Sequence, residues 1–218
     1  MSPLWNRVTV RGEKTSAGPI AGTAAARERT TMTKLMILVA SVRPGRIGLP
    51  IAQWVREAAE ADGRFEIDWA DLAEVRLPLM DEPNHPRLRQ YTQQHTLDWS
   101  ARVDAADAFV FVTPEYNYSY APSLKNALDY LFQEWARKPL GTVSYGGISG
   151  GTRGVTAIRP SEVAVGLVPT QANVELAWAA KQIDDEGRFQ PNEFNEKALA
   201  NTLDELIRLD GALRTLRV

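Results

Sequence analysis

Three polar loops carry the residues whose chemistry stands out in this sequence. The first, residues 41–48, reads Ser-Val-Arg-Pro-Gly-Arg-Ile-Gly and offers a hydroxyl group, two guanidinium groups and the backbone N–H groups of a helix start. These groups suit a phosphate dianion, although they also fit an ordinary capped helix. The loop lacks the Walker pattern and G-x-G-x-x-G, which favours a single phosphate over a nucleoside triphosphate or a dinucleotide.

The second and third loops offer flat and close-fitting surfaces. In the segment 113–129, Tyr116, Asn117, Tyr118 and Tyr120 stand between prolines, and this composition suits a planar heterocycle with hydrogen-bonding edges. An ordinary turn whose tyrosines cover a core is the alternative. Residues 146–151 include four glycines, which allow backbone to approach a flat ligand closely or simply form a flexible turn.

The third loop also contains G-x-S-x-G, the pattern of a hydrolase nucleophile elbow, around Ser149. An α/β-hydrolase needs an acid and then a histidine after its serine. Both histidines, His85 and His95, precede Ser149, so the required order fails and we expect them to be surface loop residues. No group of histidines and carboxylates has the spacing of metal ligands, so no metal site is predicted.

Alternating strand and helix patterns predict an α/β fold, a doubly wound parallel sheet of five strands with helices on both faces. The loops after the first, third and fourth strands then share the carboxyl edge of the sheet. The apolar stripe of the third helix packs on the sheet or on another subunit. The predicted strands are residues 35–40, 65–72, 108–113, 138–145 and 172–177, and the main helices are 49–62, 97–106, 123–135 and 192–216.

Composition narrows the possible partners and surroundings. The net charge of −2 and the scattered arginines argue against nucleic acid, and no apolar run reaches the length of a membrane span. The absence of cysteine excludes disulfides and fits a cytoplasmic protein. Residues 1–33 lack the apolar region of a secretory signal and are predicted to be a disordered extension of a domain at 34–218. Met32 raises the hypothesis that translation starts there.

Taken together and in this order, the three motifs resemble the NADPH-dependent FMN reductase family. The resemblance spans about residues 34–174 and rests mainly on Pro-Glu-Tyr-Asn-Tyr-Ser at 114–119, followed by Leu-Lys-Asn-Ala-Leu-Asp at 124–129. It implies a flavodoxin-like fold, non-covalently bound FMN, and a homodimer or homotetramer. Members of the family include flavin, quinone, azo-dye and chromate reductases.

The resemblance also implies particular cofactor contacts. The FMN phosphate is expected at Ser41, Arg43 and Arg46, with the backbone of Ile47 and Gly48. The isoalloxazine ring is expected beside Pro114, Glu115, Tyr116 and Asn117, and its pyrimidine side along Gly146, Gly147 and Gly151. Many members have a hydroxyl residue at or beside position 48, so a side-chain contact is expected to be missing there and to be replaced by backbone or Arg46.

The implied reaction passes hydride from NADPH or NADH to N5 of FMN, and then electrons to a small acceptor such as a quinone, free flavin or azo compound. No catalytic side chain is expected, because the cofactor carries the chemistry. Arg153 either steers the nicotinamide cofactor or lies free on the surface. Lys125 and Asp129 either position the loop, pair across a subunit interface or form a solvated i,i+4 pair. A flavodoxin-type electron carrier and, more remotely, a hydrolase using Ser149 remain the alternatives.

Overall fold

The structure is a computed structural model that describes residues 32–217. The prediction of a disordered extension concerns residues that lie, but for the last two, outside the described part. Within that part, no helix has both the length and the apolar composition needed to cross a bilayer. The strands are β1 Thr33–Val39, β2 Phe65–Asp71, β3 Ala108–Pro114, β4 Pro139–Gly146, β5 Val168–Pro169 and β6 Val174–Ala177. The helices are α1 Gly48–Asp62, α2 Leu72–Val75, α3 Gln94–Ala105, α4 Pro122–Asp129, α5 Thr152–Ala164 and α6 Glu193–Leu213.

All the strands pair in parallel, in the order β2-β1-β3-β4-β5, and β6 pairs with β4 beyond the end of β5. The predicted doubly wound parallel sheet is therefore confirmed. The predicted fifth strand corresponds to β6, while the sequence patterns missed the two-residue β5 that precedes it. The acidic, alternating β2 lies at the edge of the sheet, as its pattern predicted.

Two apolar layers enclose the sheet. One layer packs α1 and α6 against it, and the other packs α3, α4 and α5 against the opposite face. Strands β1 and β3 lie between the layers, which is why their sequences are apolar on both faces and every residue of β3 is buried. The loops at the carboxyl ends of β1, β3 and β4 are thereby held at one edge by strands that are buried at nearly every residue.

The predicted helix 123–135 ends earlier than expected, because α4 stops at Asp129 and a 3-10 turn follows at residues 133–135. The break lets Trp135 turn into the core, where its ring centroid lies 5.0 Å from that of Phe109. Its indole N–H donates to the Leu128 carbonyl oxygen at 3.2 Å. The closing helix is also shorter than predicted: Asn192 caps it with a capping box, and it ends at Leu213.

Residues 78–93 form an irregular excursion before α3, apart from one 3-10 turn. Buried and half-buried carboxylates hold it in place. Glu82 accepts hydrogen bonds from the backbone N–H groups of Thr92 and Gln93. Glu134 is fully buried and accepts the Tyr91 hydroxyl at 2.9 Å. The excursion is thus tied to the body of the fold beside α4.

Candidate functional site

The three loops meet around one cavity of about 460 Å³ at the carboxyl edge of the sheet. This volume lies in the range of small-molecule and cofactor sites. A fourth segment, which follows β6, closes the remaining side. The lining residues are Ser41, Arg43, Pro44, Gly45, Arg46, Ile47, Pro114, Glu115, Tyr116, Tyr145, Gly146, Gly147, Trp178, Ala180 and Lys181.

Most of the predicted cofactor residues line this cavity, and three do not. Gly48 stands directly behind the lining residue Ile47 as the first residue of α1. Asn117 lines a neighbouring groove instead. Gly151 has a structural role, since it precedes α5 with φ +89° and a Cβ atom there would come within 2.7 Å of the Ser144 Cβ. That contact explains the glycine without any ligand.

The loop after β1 presents hydrogen-bond donors to the cavity. Ser41 is buried, and its hydroxyl group lies 2.7 Å from that of Tyr116. Gly45 makes the turn with φ +68°. Helix α1 then begins without a side-chain cap at Ile47, so the first N–H groups of the helix have no intrahelical partner and face the loop.

The two arginines of this loop have different surroundings. Arg46 forms an ion pair with the buried Asp71, which also accepts the Ala73 N–H at the start of α2. Arg43 makes no ion pair within residues 32–217, and its guanidinium carbon lies 5.7 Å from the centre of the Tyr116 ring. Arg43 is therefore available to an anionic ligand, whereas Arg46 is held by Asp71 through Nη2 and keeps a buried Nε without a partner in the described part.

The loop after β3 is a tight turn in a strained conformation. Tyr116 and Ser119 exchange two backbone hydrogen bonds of 2.8 and 2.9 Å. Asn117 and Tyr118 between them both have positive φ angles, of 48° and 68°. Such angles in residues other than glycine cost energy and cluster at functional sites. The turn leaves Tyr116 on the cavity wall and Tyr118 exposed on the outside.

The carboxylate of Glu115 ties the second loop to the third. It accepts the Ser149 hydroxyl at 2.8 Å and the backbone N–H of Arg153 at 3.1 Å. The Arg153 guanidinium reaches its other oxygen at 3.1 Å. Burial raises the pKa of Glu115, but these hydrogen bonds outweigh burial, and the pKa lies below its usual value. Glu115 is therefore an ionised link between the loops as well as part of the cavity wall.

This link decides between the alternatives for Ser149 and Arg153. Ser149 donates to a carboxylate and has no histidine beside it. His95 lies 3.0 Å from Asp81, and His85 accepts the Arg87 N–H, both in the excursion before α3 or at its start. The hydrolase arrangement is thus absent from the described part of the chain. Arg153 is not a free surface residue, since it also covers the ring of Tyr118 at 4.1 Å.

Lys125 and Asp129 on α4 bind each other as an i,i+4 ion pair. Both side chains line the groove that also contains Asn117. The groove adjoins the cavity through Arg43, Glu115 and Tyr116, which border both. An i,i+4 pair of this kind contributes only a few tenths of a kcal/mol, roughly 0.2–0.5, to helix stability.

The sequence predictions missed the fourth segment, with Trp178, Ala180 and Lys181. Trp178 has φ +54°, and its backbone N–H donates to the Gly147 carbonyl oxygen at 3.0 Å. The Lys181 amine lies 5.3 Å from the centre of its indole ring. The signal was available, since an aromatic residue directly after a predicted strand follows the rule that placed the other loops at this edge.

The family model described as NADPH-dependent FMN reductase matches residues 33–180. The chain belongs to this family. It is 45% identical over 120 residues to an NAD(P)H-dependent FMN reductase of Schizosaccharomyces pombe, a match covering 54% of this chain and 60% of that protein. It is 31% identical over 124 residues to a 2-hydroxy-1,4-benzoquinone reductase of Burkholderia sp., covering 56% of this chain and 60% of that protein.

The fold agrees with this assignment. The solved structure of FerB, a flavoenzyme NAD(P)H:(acceptor) oxidoreductase of Paracoccus denitrificans, superposes with a TM-score of 0.67 at 21% identity. The match covers 81% of this chain and 98% of FerB. The flavodoxin-like arrangement of the FMN reductase family is therefore present over nearly the whole described part.

Proposed function

We propose that this protein binds FMN non-covalently in the cavity and uses it to pass hydride from NADPH or NADH to a small acceptor. One observation carries the proposal: a single cavity brings together anion-binding groups from the loop after β1 and flat, side-chain-free walls from the loops after β3 and β4. A flavin mononucleotide needs both kinds of surface, since it carries a phosphate and a planar ring.

The loop after β1 fits a phosphate. It combines the guanidinium of Arg43, which has no ion pair in the described part, with the buried hydroxyl of Ser41 and the uncapped start of α1. Lys181 adds a second cation without an ion pair in the described part. Charge-assisted hydrogen bonds from such groups, added to the dipole of a fifteen-residue helix, favour a dianion.

The loops after β3, β4 and β6 fit a planar ring. Pro114 and Tyr116 form one wall, and Gly146 and Gly147 leave the backbone of the β4 end open to close approach. Trp178 supplies a large aromatic face on the side of the fourth segment. Aromatic faces and bare backbone together suit a heterocycle that carries hydrogen-bonding edges.

When bound, FMN supplies the hydride chemistry, so the protein needs no acid, base or nucleophile of its own. The residues of this chain bind and orient it: the donors of the first loop fix one end, and the linked second and third loops fix the walls. This division of work explains why the cavity contains no histidine and why its one carboxylate, Glu115, is already bound to Ser149 and Arg153.

A quinone-like or flavin-like acceptor, or an azo compound, fits the surroundings of the cavity. Tyr118, Ile148 and Trp178 are exposed on the loops that surround it, with 72%, 73% and 53% of their surfaces accessible. A flat apolar acceptor gains contact with such side chains without burying a charge. The benzoquinone named for the Burkholderia relative is an acceptor of this kind.

The decisive experiment is a spectrum followed by turnover. The purified protein, supplied with FMN and passed over a desalting column, is expected to keep a flavin spectrum. It is then expected to oxidise NADPH or NADH when a benzoquinone is added. A flavin spectrum without turnover on any acceptor would favour the flavodoxin-type electron carrier, and a colourless protein would contradict the proposal.

We further propose that the protein works as a homodimer or homotetramer in the cytoplasm. The exposed apolar side chains of Tyr118, Ile148 and Trp178 support assembly, because side chains of this kind gain from being covered at an interface. The absence of cysteine fits a reducing compartment. Light scattering coupled to gel filtration measures the oligomeric state, and a single species at the monomer mass would contradict a dimer or tetramer.

A further inference from the structure

The hydroxyl group of Tyr145 is buried at the cavity without a partner. Tyr145 lies near the end of β4, is 5% exposed and lines the cavity, and its hydroxyl oxygen has no hydrogen-bond partner within residues 32–217. A buried hydroxyl without a partner is costly, and most buried polar groups in proteins are paired. The unpaired, buried hydroxyl of this cavity-lining residue is therefore explained most simply by a ligand that supplies the missing acceptor.

The surroundings of this hydroxyl make it a donor toward an anion. Ser41 lies close by and is hydrogen-bonded to Tyr116 at 2.7 Å, where either hydroxyl can be the donor. Burial and the neighbouring Tyr116 raise the pKa of Tyr145, while Ser41, Arg46 and Arg43 lower it to a smaller extent. The hydroxyl therefore keeps its proton at neutral pH, in a setting where two guanidinium groups attract negative charge.

Gly48 fixes where the hydroxyl points. A Cβ atom placed on Gly48 would lie 2.3 Å from the Tyr145 hydroxyl oxygen and 3.0 Å from the ring carbon that carries it. The hydroxyl thus occupies the space directly beside the first residue of α1, where the uncapped N–H groups of the helix gather. An acceptor bound by those N–H groups lies within reach of Tyr145 as well.

We propose that Tyr145 binds the phosphate of FMN, donating its hydroxyl hydrogen to a phosphate oxygen beside Ser41 and the start of α1. The inference rests on the proposed function and adds a ligand from β4 to the phosphate site. It also gives a reason for Gly48: a side-chain hydroxyl is not needed at that position, because the Tyr145 hydroxyl already occupies the space beside it.

The test compares FMN with riboflavin, which lacks the phosphate, by fluorescence titration of the apoprotein. Tyr145→Phe removes only the oxygen and leaves the ring in the core. FMN is expected to bind the variant about tenfold to a hundredfold more weakly, the scale of a hydrogen bond to a charged group, while riboflavin binds the wild type and the variant equally. Tyr130→Phe, which removes the hydroxyl of another buried tyrosine that lies outside the cavity, is the matched control and is expected to leave both affinities unchanged.

Each other outcome overturns the inference. Equal FMN affinity of the wild type and Tyr145→Phe removes Tyr145 from the site while the proposed function stands. Equal losses for FMN and riboflavin place the hydroxyl at the ring or ribityl part instead of the phosphate. A wild-type protein that binds no FMN contradicts the proposed function itself. Thermal melting of both variants without flavin shows whether either substitution has disturbed the fold.

A second variant tests the geometry independently of flavin. Gly48→Ala introduces the clash with the Tyr145 hydroxyl and is expected to lower the melting temperature of the apoprotein. In the Tyr145→Phe background the nearest atom is the ring carbon at 3.0 Å, so Gly48→Ala is expected to lower the melting temperature clearly less there. Equal shifts in the two backgrounds would contradict the placement of the hydroxyl beside α1.

Discussion

Glu115 and Arg153 are joined by two hydrogen bonds, one from the backbone N–H and one from the guanidinium group of the arginine, each 3.1 Å long. Glu115 follows β3, and Arg153 lies in the first turn of α5, so the pair connects two loops that border the same cavity. Ser149 adds a third hydrogen bond to the same carboxylate. The walls of the cavity are therefore positioned relative to each other by a side chain that is expected to take no part in the reaction.

We expect Glu115→Gln to loosen this connection. The amide keeps the shape of the side chain but loses the charge and turns one acceptor into a donor facing Arg153. Because Arg153 is 40% exposed, the loss of stability is expected to be modest, about 1 kcal/mol, measured by urea unfolding. The affinity for FMN is expected to fall as well, since the cavity walls are no longer held together.

Arg153→Lys is the matched comparison for Glu115→Gln. It keeps the charge and the backbone N–H donor and loses only the guanidinium contact, so we expect a smaller loss of FMN affinity. The lowered pKa of Glu115 also makes the free energy of unfolding depend on pH. The carboxylate contributes stability above the usual carboxyl pKa of about 4.3, and this contribution is lost as pH falls through the lowered pKa. A wild-type affinity for FMN that equals that of Glu115→Gln would contradict the positioning role.

We expect Arg43→Ala to weaken FMN binding by about 1.5–3 kcal/mol, the scale of a charge-assisted hydrogen bond. Arg43 is the arginine of the first loop whose guanidinium has no ion pair in the described part, so its full charge is available to the phosphate. Fluorescence titration measures the change, and riboflavin serves as the ligand without a phosphate. Arg208→Ala, on the exposed face of α6, is the control. Unchanged FMN affinity would remove Arg43 from the site.

We expect Ser149→Ala to retain NADPH oxidation within a few fold of wild type. Ser149 donates to Glu115 and has no base beside it, so its loss removes one of three hydrogen bonds to that carboxylate and no catalytic group. Turnover with a benzoquinone acceptor and hydrolysis of a chromogenic ester are measured side by side. Ester hydrolysis by the wild type that disappears in the variant would revive the hydrolase interpretation.

The sequence patterns that predicted the fold correctly were those produced by burial. The continuous apolar runs of β1 and β3 follow from layers on both faces of the sheet, and the alternating pattern of β2 follows from its place at the edge. The predicted end of α4 was wrong, because the point at which this helix stops depends on contacts with residues distant in sequence. Only the packing of Trp135 against Phe109 and Phe111 decides that the helix must stop.

The sequence predicted which loops form the site, but not the partners of their side chains. The three loops that line the cavity follow from strand order alone, whereas the state of each side chain does not. That Arg46 pairs with Asp71 while Arg43 stays unpaired depends on the place of β2 beside β1. The partnerless hydroxyl of Tyr145 depends likewise on the closeness of β4 to α1, which no local pattern encodes.

We expect Glu134→Gln to destabilise the protein by on the order of 1–3 kcal/mol. Glu134 is fully buried and accepts the hydroxyl groups of Tyr91 and Ser100 at 2.9 and 2.7 Å, with Arg89 at 3.2 Å. Glutamine can keep an oxygen at the Oε1 position that these groups share, but its amide nitrogen then faces the Phe132 N–H, which loses its acceptor, and the negative charge beside Arg89 is lost. Urea unfolding measures the loss, with the exposed Glu57→Gln as control. A free energy of unfolding equal to that of wild type would contradict the anchoring role of Glu134.

The stability of the protein is expected to depend on pH through Glu162. This residue lies on the inner face of α5 with 1% of its surface exposed, and neither carboxylate oxygen has a hydrogen-bond partner in the described part. Burial raises its pKa from 4.5 to about 7, although the charge of Arg159, 3.0 Å away, offsets part of this rise. The folded protein therefore holds a proton that the unfolded chain releases near pH 4.5.

A pKa raised in the folded state gives stability that is complete below the unfolded pKa and is lost as pH rises through the folded pKa. Between pH 4.5 and 7, Glu162 is thus expected to lower the free energy of unfolding by on the order of 1–3 kcal/mol. Glu162→Gln stays neutral throughout, so its advantage over wild type is expected to grow with pH across this range and to level off above it. Urea unfolding of both proteins at pH 5, 6, 7 and 8 measures the difference, with Glu57→Gln as the exposed control. Parallel curves for wild type and Glu162→Gln would show that this carboxyl group ionises as freely in the folded protein as in the unfolded chain.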